Sequence, residues 1–301
     1  MPQSITLSLQ GFLDYLKFQK RYSQHTIVAY QNDLETFFVY LQEFFQPHQL
    51  AEIKPMMVRS WLASLKSEES NSSKTINRKI SALKTFFKFH LRTGLIEASP
   101  MATIVSPKLS KRLPQFIDKR DTETLFSHVE FGQDWNGKTE RLIMELLYHT
   151  GMRLAELIGI KEAQVDGYGS AIKVLGKGSK ERIIPMNTAL LKEIKDYTDE
   201  KAAKLPEADR VFLLVKDNGK KLYPKYVYNV VKKYLSQVTT IEKKSPHILR
   251  HTFATHLANN GADLNAIKEL LGHSSLAATQ IYTHNSIDKL KDVYKKAHPK
   301  A

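Results

Sequence analysis

Between about Thr6 and Ile96 apolar residues return every three or four positions, and no stretch alternates with a period of two. That spacing predicts helices. Leu9, Phe12, Leu13 and Leu16 stripe a first helix, and Ile27, Tyr30, Leu34, Phe37 and Phe38 a second, with Ser23 placed to cap it. Val58, Trp61, Leu62 and Leu65 mark a third. A fourth starts at the capping cluster Asn71-Ser72-Ser73 and carries Ile76, Ile80, Leu83 and Phe87 on one face. Lys84, Lys88 and Arg92, at i, i+4 and i+8, fall on another face of that helix. A basic stripe of this kind suits an anion, and it equally describes a solvated face.

The second half of the chain changes period. It is helical through Leu142, Leu146 and Leu147; then Ala171–Leu175 and Arg182–Pro185 form two short β-prone runs around the Gly-containing segment 176–181, which predicts a hairpin. Val211–Val215 reads as one more short strand, and from Tyr223 the pattern is helical to the end, interrupted at Gly261 and Gly272. Residues 99–114 hold three prolines, Lys108, Lys111 and Arg112, and no acidic residue, a composition that makes an extended linker attracted to polyanions. The expectation is a mainly α protein with a small β-sheet in its C-terminal part: a helical domain over 1–105, a basic linker over 106–116 and a second domain over 117–301.

Composition narrows the partner. The 301 residues carry 45 Lys and Arg against 31 Asp and Glu, a net charge of +14, which makes nucleic acid the first partner to consider. A hydrophobic content of 42% is enough for real cores. There is no cysteine, which removes disulfides, thiol nucleophiles and Cys-ligated zinc and fits a reducing compartment, so the cytoplasm is the expected address. The N-terminus lacks a continuous apolar signal core, and no apolar run approaches the roughly 20 residues of a membrane helix. Neither secretion nor membrane insertion is expected.

Candidate chemistry sits in four polar clusters beside apolar helical stretches. In Thr150-Gly-Met-Arg153-Leu-Ala-Glu156, Arg153 and Glu156 share a helical face, as a guanidinium and its orienting carboxylate or as a structural ion pair. Lys177 stands at the tip of the hairpin between glycines, where backbone can approach a ligand. In Ser245-Pro-His247-Ile-Leu-Arg250-His251, His247 and Arg250 lie one turn apart; a metal site at His247 and His251 is disfavoured by the arginine between them. The fourth cluster is Leu271-Gly-His273, followed by Tyr282. Taken together, two arginines, a lysine, two histidines and a tyrosine without paired carboxylates make a site for handling a phosphate without metal, whereas Mg²⁺ chemistry would call for clustered acids.

These motifs occur in an order that resembles the tyrosine recombinase family, most closely its bacterial XerC/XerD branch: Thr150-Gly-Met-Arg153 with Glu156, Gly176-Lys177-Gly-Ser-Lys-Glu-Arg182, His247-Ile-Leu-Arg250-His251-Thr-Phe-Ala-Thr-His256, Leu271-Gly-His273 and Tyr282-Thr-His284. The N-terminal half, with Tyr22-Ser-Gln-His-Thr26 and Tyr30, is similar to that family's core-binding domain. The resemblance implies a two-domain DNA clamp in which Tyr282 attacks a scissile phosphate to give a 3′-phosphotyrosyl link. It further implies that Arg153, Arg250 and His273 hold the phosphate, Lys177 protonates the leaving 5′-oxygen, His247 serves as acid/base and Glu156 supports Arg153. Lys84, Lys88, Arg92, Lys108, Lys111 and Arg112 would contact DNA. No cofactor and no metal are expected. The implied partners are a double-stranded recombination site and a tetramer on DNA, formed by this chain alone or with a paralogous recombinase, working with or without a septal DNA translocase; no membrane is implied. The implied task is resolution of chromosome dimers at cell division, with integration of a mobile element, or non-catalytic DNA binding, as alternatives. Asn265 and Lys268 depart from the family's usual Arg and Gln, and Ser99 from its usual Asn, which bears on DNA sequence preference. Beyond Tyr282, Ile287, Leu290, Val293, Tyr294 and Ala297 stripe a tail helix expected over 287–301, which the resemblance would dock on a neighbouring protomer; the alternative is that it folds back on its own domain and adds stability.

Overall fold

The computed structural model describes residues 2–67, 71–108, 115–176, 181–272 and 294–299. The chain divides into two compact units, Met1–Arg112 and Leu113–Ala301, and the division falls inside the proline-rich basic segment. In the first unit the four expected helices are α1 (Gln3–Asp14), α2 (Gln24–Phe44), α3 (Pro55–Ser67) and α4 (Ser73–Arg92). Ser23 and Ser72 cap α2 and α4, their side-chain oxygens accepting from the N–H groups of Thr26 and Thr75. The last turn of α1 widens into a π-helical stretch, Tyr15–Gln19, which the apolar spacing does not announce. The predicted stripes meet in one core, with Tyr30 and Leu62 at its half-buried edge. Phe12 packs edge-on against Phe86 at 5.3 Å, and Phe37 against Trp61 at 5.0 Å. Asp33, buried on α2, is neutralised by Arg78 and Lys79 of α4, and the Lys79 ammonium also lies 5.4 Å over the Trp61 ring of α3. Met101 and Ile104 complete this core, and the Pro107 carbonyl accepts from Asn77 at 2.9 Å, so the linker begins seated on α4.

The second unit runs α5 (Lys119–Ser127), α6 (Trp135–Thr150), α7 (Leu154–Gly159), β1 (Val165–Asp166), β2 (Ala171–Leu175), β3 (Glu181–Pro185), α8 (Thr188–Lys204), α9 (Pro224–Val238), α10 (Pro246–Asn259) and α11 (Leu264–Leu271). The three strands are antiparallel in the order β1-β2-β3, with Ile172 opposite Ile184 and Val174 opposite Arg182. The expected hairpin is therefore β2–β3. β1 is only two residues long and α8 is mostly polar, buried through Leu190, Ile194, Tyr197 and Lys201, so neither leaves a periodic apolar signature. Lys201 is held by Glu162 at 2.6 Å and the Phe212 carbonyl at 2.5 Å. The strand expected at Val211–Val215 is a correction: only isolated bridges form, Lys161 with Phe212 and Val215 with Lys221. Leu213, Leu214 and Val215 are all buried in succession, so this run is apolar because it crosses the core and not because it alternates across a sheet.

Helix α6 is the central element. Every residue from Leu142 to Thr150 is buried, and α8, α9 and α10 pack around it. Where it is described, the tail packs on its own unit, the alternative to docking on a neighbour. Its described part, 294–299, includes one helical turn at 294–297, and Tyr294 and Ala297 belong to the core of their own unit. The Tyr294 hydroxyl pairs with His149 Nδ1 at 3.3 Å, Asn260 donates to the Ala297 carbonyl at 2.6 Å, and the His298 ring stacks on Tyr294 at 4.9 Å. Residues 287–293 lie outside the described residues.

Candidate active site and nucleic-acid interface

Helix α6 stops at Thr150 because Gly151 turns into the left-handed region at φ +57° and places its N–H on the Leu147 carbonyl. A side chain there would be strained, and its Cβ would sit 2.5 Å from Phe253 Cδ1. The reversal delivers Arg153 as the residue capping the N-terminus of α7. In the first turn of that helix Glu156 accepts from the Arg153 N–H at 2.7 Å and from Arg153 Nη1 at 2.8 Å. The other side of the same carboxylate is gripped by Arg182 of β3, through Nη1 at 2.9 Å and Nη2 at 2.8 Å.

Three arginines then converge on the last turn of α11. Arg182 Nε donates to the Leu270 carbonyl at 2.7 Å, Arg250 Nη2 to Leu271 at 2.6 Å, and Arg153 Nη2 to Gly272 at 3.1 Å. Arg250, on α10, also reaches back to the Gly151 carbonyl at 2.6 Å. The final carbonyls of a helix have no partners within it and carry the negative end of its dipole, so they are natural seats for cations. Gly272 closes α11 at φ +64°, and a Cβ there would lie 3.0 Å from Arg182 Cδ.

Among the described residues charge in this cluster is unbalanced, with one carboxylate, Glu156, set among three guanidinium groups. Burial alone would raise the Glu156 carboxyl, but the Arg182 fork, with the Arg153 N–H and side chain, brings it down to about 2. Burial, reinforced by the charges of Arg153 and Arg182, lowers Arg250 to about 10, which leaves it cationic at neutral pH. The Arg250 and Arg182 side chains are buried, whereas 37% of the Arg153 side chain is exposed, so the excess positive charge opens outward on the Arg153 side. An anion with several oxygens, such as a phosphodiester, fits this arrangement.

Of the residues singled out in the sequence, Arg153, Glu156 and Arg250 are brought together here. His247 is exposed in the first turn of α10, one turn before Arg250, with Pro246 opening the helix. His251 is lowered by burial and then by the charge of His247. Among the described residues no group of three or more His, Asp or Glu is placed to hold a metal ion. Lys177, His273 and Tyr282 lie outside the described residues. Arg182, quoted in the hairpin motif, had no role from sequence. Its signal was available in the strand: it occupies a buried register position opposite Val174, where a charge must find acceptors.

In the first unit Lys84, Lys88 and Arg92 are exposed on α4, and together with Tyr15, Lys20 and Phe89 they line a pocket of about 330 Å³. Tyr15 stacks on Phe89 at 4.7 Å, and the Arg92 guanidinium lies 5.1 Å over the Tyr15 ring. A hydrogen bond from Arg92, with one from Lys20, lowers the Tyr15 phenol. Cations interleaved with aromatic faces suit a nucleic-acid backbone. Lys108 is exposed, while Lys111 and Arg112 lie outside the described residues. Among the described residues no helix is long and apolar enough to cross a membrane.

The sequence pattern of the phage integrase family matches residues 115–288, and that of the phage integrase N-terminal SAM-like domain matches residues 9–94. The tyrosine recombinase XerC of Chlorobaculum parvum is 37% identical, over 97% of this chain and 94% of the relative. The tyrosine recombinase XerC of Staphylococcus aureus is also 37% identical, over 97% of this chain and 96% of the relative. Among solved structures, the XerH site-specific recombinase bound to palindromic difH substrate aligns with a TM-score of 0.71 at 21% identity, covering 95% of this chain and 80% of that one; at that identity the likeness speaks for the fold.

Proposed function

Because the chain belongs to the phage integrase family of tyrosine recombinases, we propose that its arginine cluster holds the scissile phosphate of a double-stranded recombination site for attack by Tyr282. The observation that carries this reading is the convergence of Arg153 and Arg250 at the end of α11, where, among the described residues, Glu156 is the one carboxylate paired with the guanidinium groups.

In the proposed reaction the Tyr282 oxygen bonds to phosphorus while the bond from phosphorus to the 5′-oxygen breaks. A free phenol has a pKa of about 10, so the tyrosine must lose its proton as it attacks. His247 takes that proton, and Lys177 supplies one to the departing 5′-oxygen. Arg153, Arg250 and His273 face the non-bridging oxygens, whose charge grows in the transition state. Since Arg250 and Glu156 already have fixed partners, little reorganisation is needed when substrate arrives. The products are a 3′-phosphotyrosyl link and a 5′-hydroxyl. Attack by the 5′-hydroxyl of another strand reverses the step, and because the ester is conserved throughout, neither ATP nor a metal enters the balance.

DNA would lie against the Lys84, Lys88 and Arg92 face of the first unit and the basic linker with Lys108, Lys111 and Arg112. Recombination needs two sites and so a tetramer, with a paralogous recombinase as the natural second subunit and a septal translocase as its regulator. Identity to XerC proteins over nearly the whole of both chains supports chromosome-dimer resolution over mobile-element integration as the cellular task.

The test is covalent trapping on a nicked suicide substrate. Wild type should give an adduct that survives denaturing electrophoresis, unchanged by EDTA. Tyr282→Phe should bind the same DNA about as well and give none. An adduct from Tyr282→Phe would remove that residue from the role, and loss of wild-type cleavage in EDTA, restored by Mg²⁺, would sink the metal-free chemistry.

A further inference from the structure

We infer that Arg182 is a positioning residue for strand cleavage, one that aims Arg153 by fixing the carboxylate that holds it; this rests on the role proposed above for Arg153. Both Glu156 oxygens are shared between the two arginines. Oε1 accepts Nη1 of each, and Oε2 accepts the Arg153 N–H and Arg182 Nη2. The planar Arg182 fork therefore sets the plane of the carboxylate, and the carboxylate in turn sets where Arg153 Nη1 is held.

Arg182 itself has no freedom to drift. Its side chain is 4% exposed, its Nε is tied to Leu270, and its Cδ lies where a Cβ at Gly272 would meet it. Its Nε, Nη1 and Nη2 are all engaged, by the Leu270 carbonyl and the two Glu156 oxygens, so it acts through Glu156 and not on substrate. Arg153 is the opposite case: its side chain is partly exposed, and without the carboxylate its guanidinium would swing among many rotamers. Arg182 also ties β3, the end of α11 and α7 into one network, so the elements on either side of the anion site share a single anchor.

The alternative is an ion pair that only stabilises the fold. The two are separated by comparing single-turnover cleavage of a natural suicide substrate with one whose scissile phosphate is a methylphosphonate. Replacing a non-bridging oxygen by methyl removes the charge that Arg153 is there to meet. For Arg182→Ala we expect cleavage of the phosphodiester to fall at least tenfold, with DNA affinity within about twofold of wild type, and the deficit to shrink below threefold on the methylphosphonate. Glu156→Gln should behave the same way, and the double variant should be no worse than the poorer single one. Should Arg182→Ala fail to fold, Arg182→Lys carries the comparison, since an ammonium keeps the charge but cannot bridge both carboxylate oxygens and Leu270. Equal deficits on the two substrates, or affinity falling in step with cleavage, would overturn the inference. Absence of any wild-type adduct would instead overturn the recombinase chemistry on which it rests.

Discussion

The seating of Tyr294 can be tested through stability. Its ring is 3% exposed and lies among His149 and His298, and burial drives its phenol far above the ordinary range, so it stays neutral at any working pH. Truncating a buried aromatic side chain costs about 3–5 kcal/mol through lost burial and the cavity left behind. Tyr294→Ala also strips His149 Nδ1 of a partner, worth about a further 1 kcal/mol. For a unit the size of Leu113–Ala301 a change of 1 kcal/mol moves the midpoint by roughly 2–4 °C, so Tm should fall by roughly 15 °C. Tyr294→Phe keeps the ring and loses only the hydroxyl contact, so it should cost a few degrees at most. Calorimetry of the full-length protein, with DNA-binding measured alongside, checks both. A Tm for Tyr294→Ala within about 2 °C of wild type would refute the packing, and if synapsis alone collapsed, the tail would again be a surface for a neighbouring protomer.

Gly151→Ala should cost about 2–4 kcal/mol, combining a left-handed backbone with a Cβ 2.5 Å from Phe253. Because the Gly151 carbonyl also holds Arg250, covalent-adduct formation should fall further than DNA affinity does; a variant with wild-type Tm and cleavage would contradict both points. Burial lowers His90 to about 4, so it is neutral in the folded first unit at pH 7. A folded pKa below the unfolded value of about 6.5 leaves stability intact above pH 6.5 and removes it as pH falls towards 4, on the order of 3 kcal/mol in full. Urea melts at pH 7 and pH 4.5 should therefore differ more for wild type than for His90→Leu, and equal differences would show that His90 is not the group responsible.

What the sequence made legible follows from where the physics is local. The helices of the first unit announce themselves because each buries a stripe at helical spacing, and α2 and α4 also begin at a serine cap. The β2–β3 hairpin is visible for the same kind of reason, alternating runs around a glycine-containing turn. Helix α8 is not, since Leu190, Ile194 and Tyr197 are too few to stand out from its charged positions, and Val211–Val215 misleads because an apolar run whose last three residues are buried in succession looks like a strand. In the site, Arg153 with Glu156 could be read from i, i+3 spacing. Arg182 is 26 residues from Glu156 along the chain, and no local pattern reveals that pairing. The tail shows the converse limit: its apolar stripe was plain, but a stripe specifies that it will be covered and not by which surface.

The arginines end on peptide carbonyls of α11, and a peptide carbonyl is present whatever side chain its residue carries. Substitution at Leu270 or Leu271 can shift such an acceptor but cannot delete it, whereas an acceptor supplied by Asp or Asn is lost in one mutational step. Asn265 and Lys268, exposed on the same helix, are therefore free to vary without removing the contacts that organise the guanidinium groups. Mutational robustness and evolvability thus meet in one short helix: its outer face can drift while its end continues to hold the three guanidinium groups.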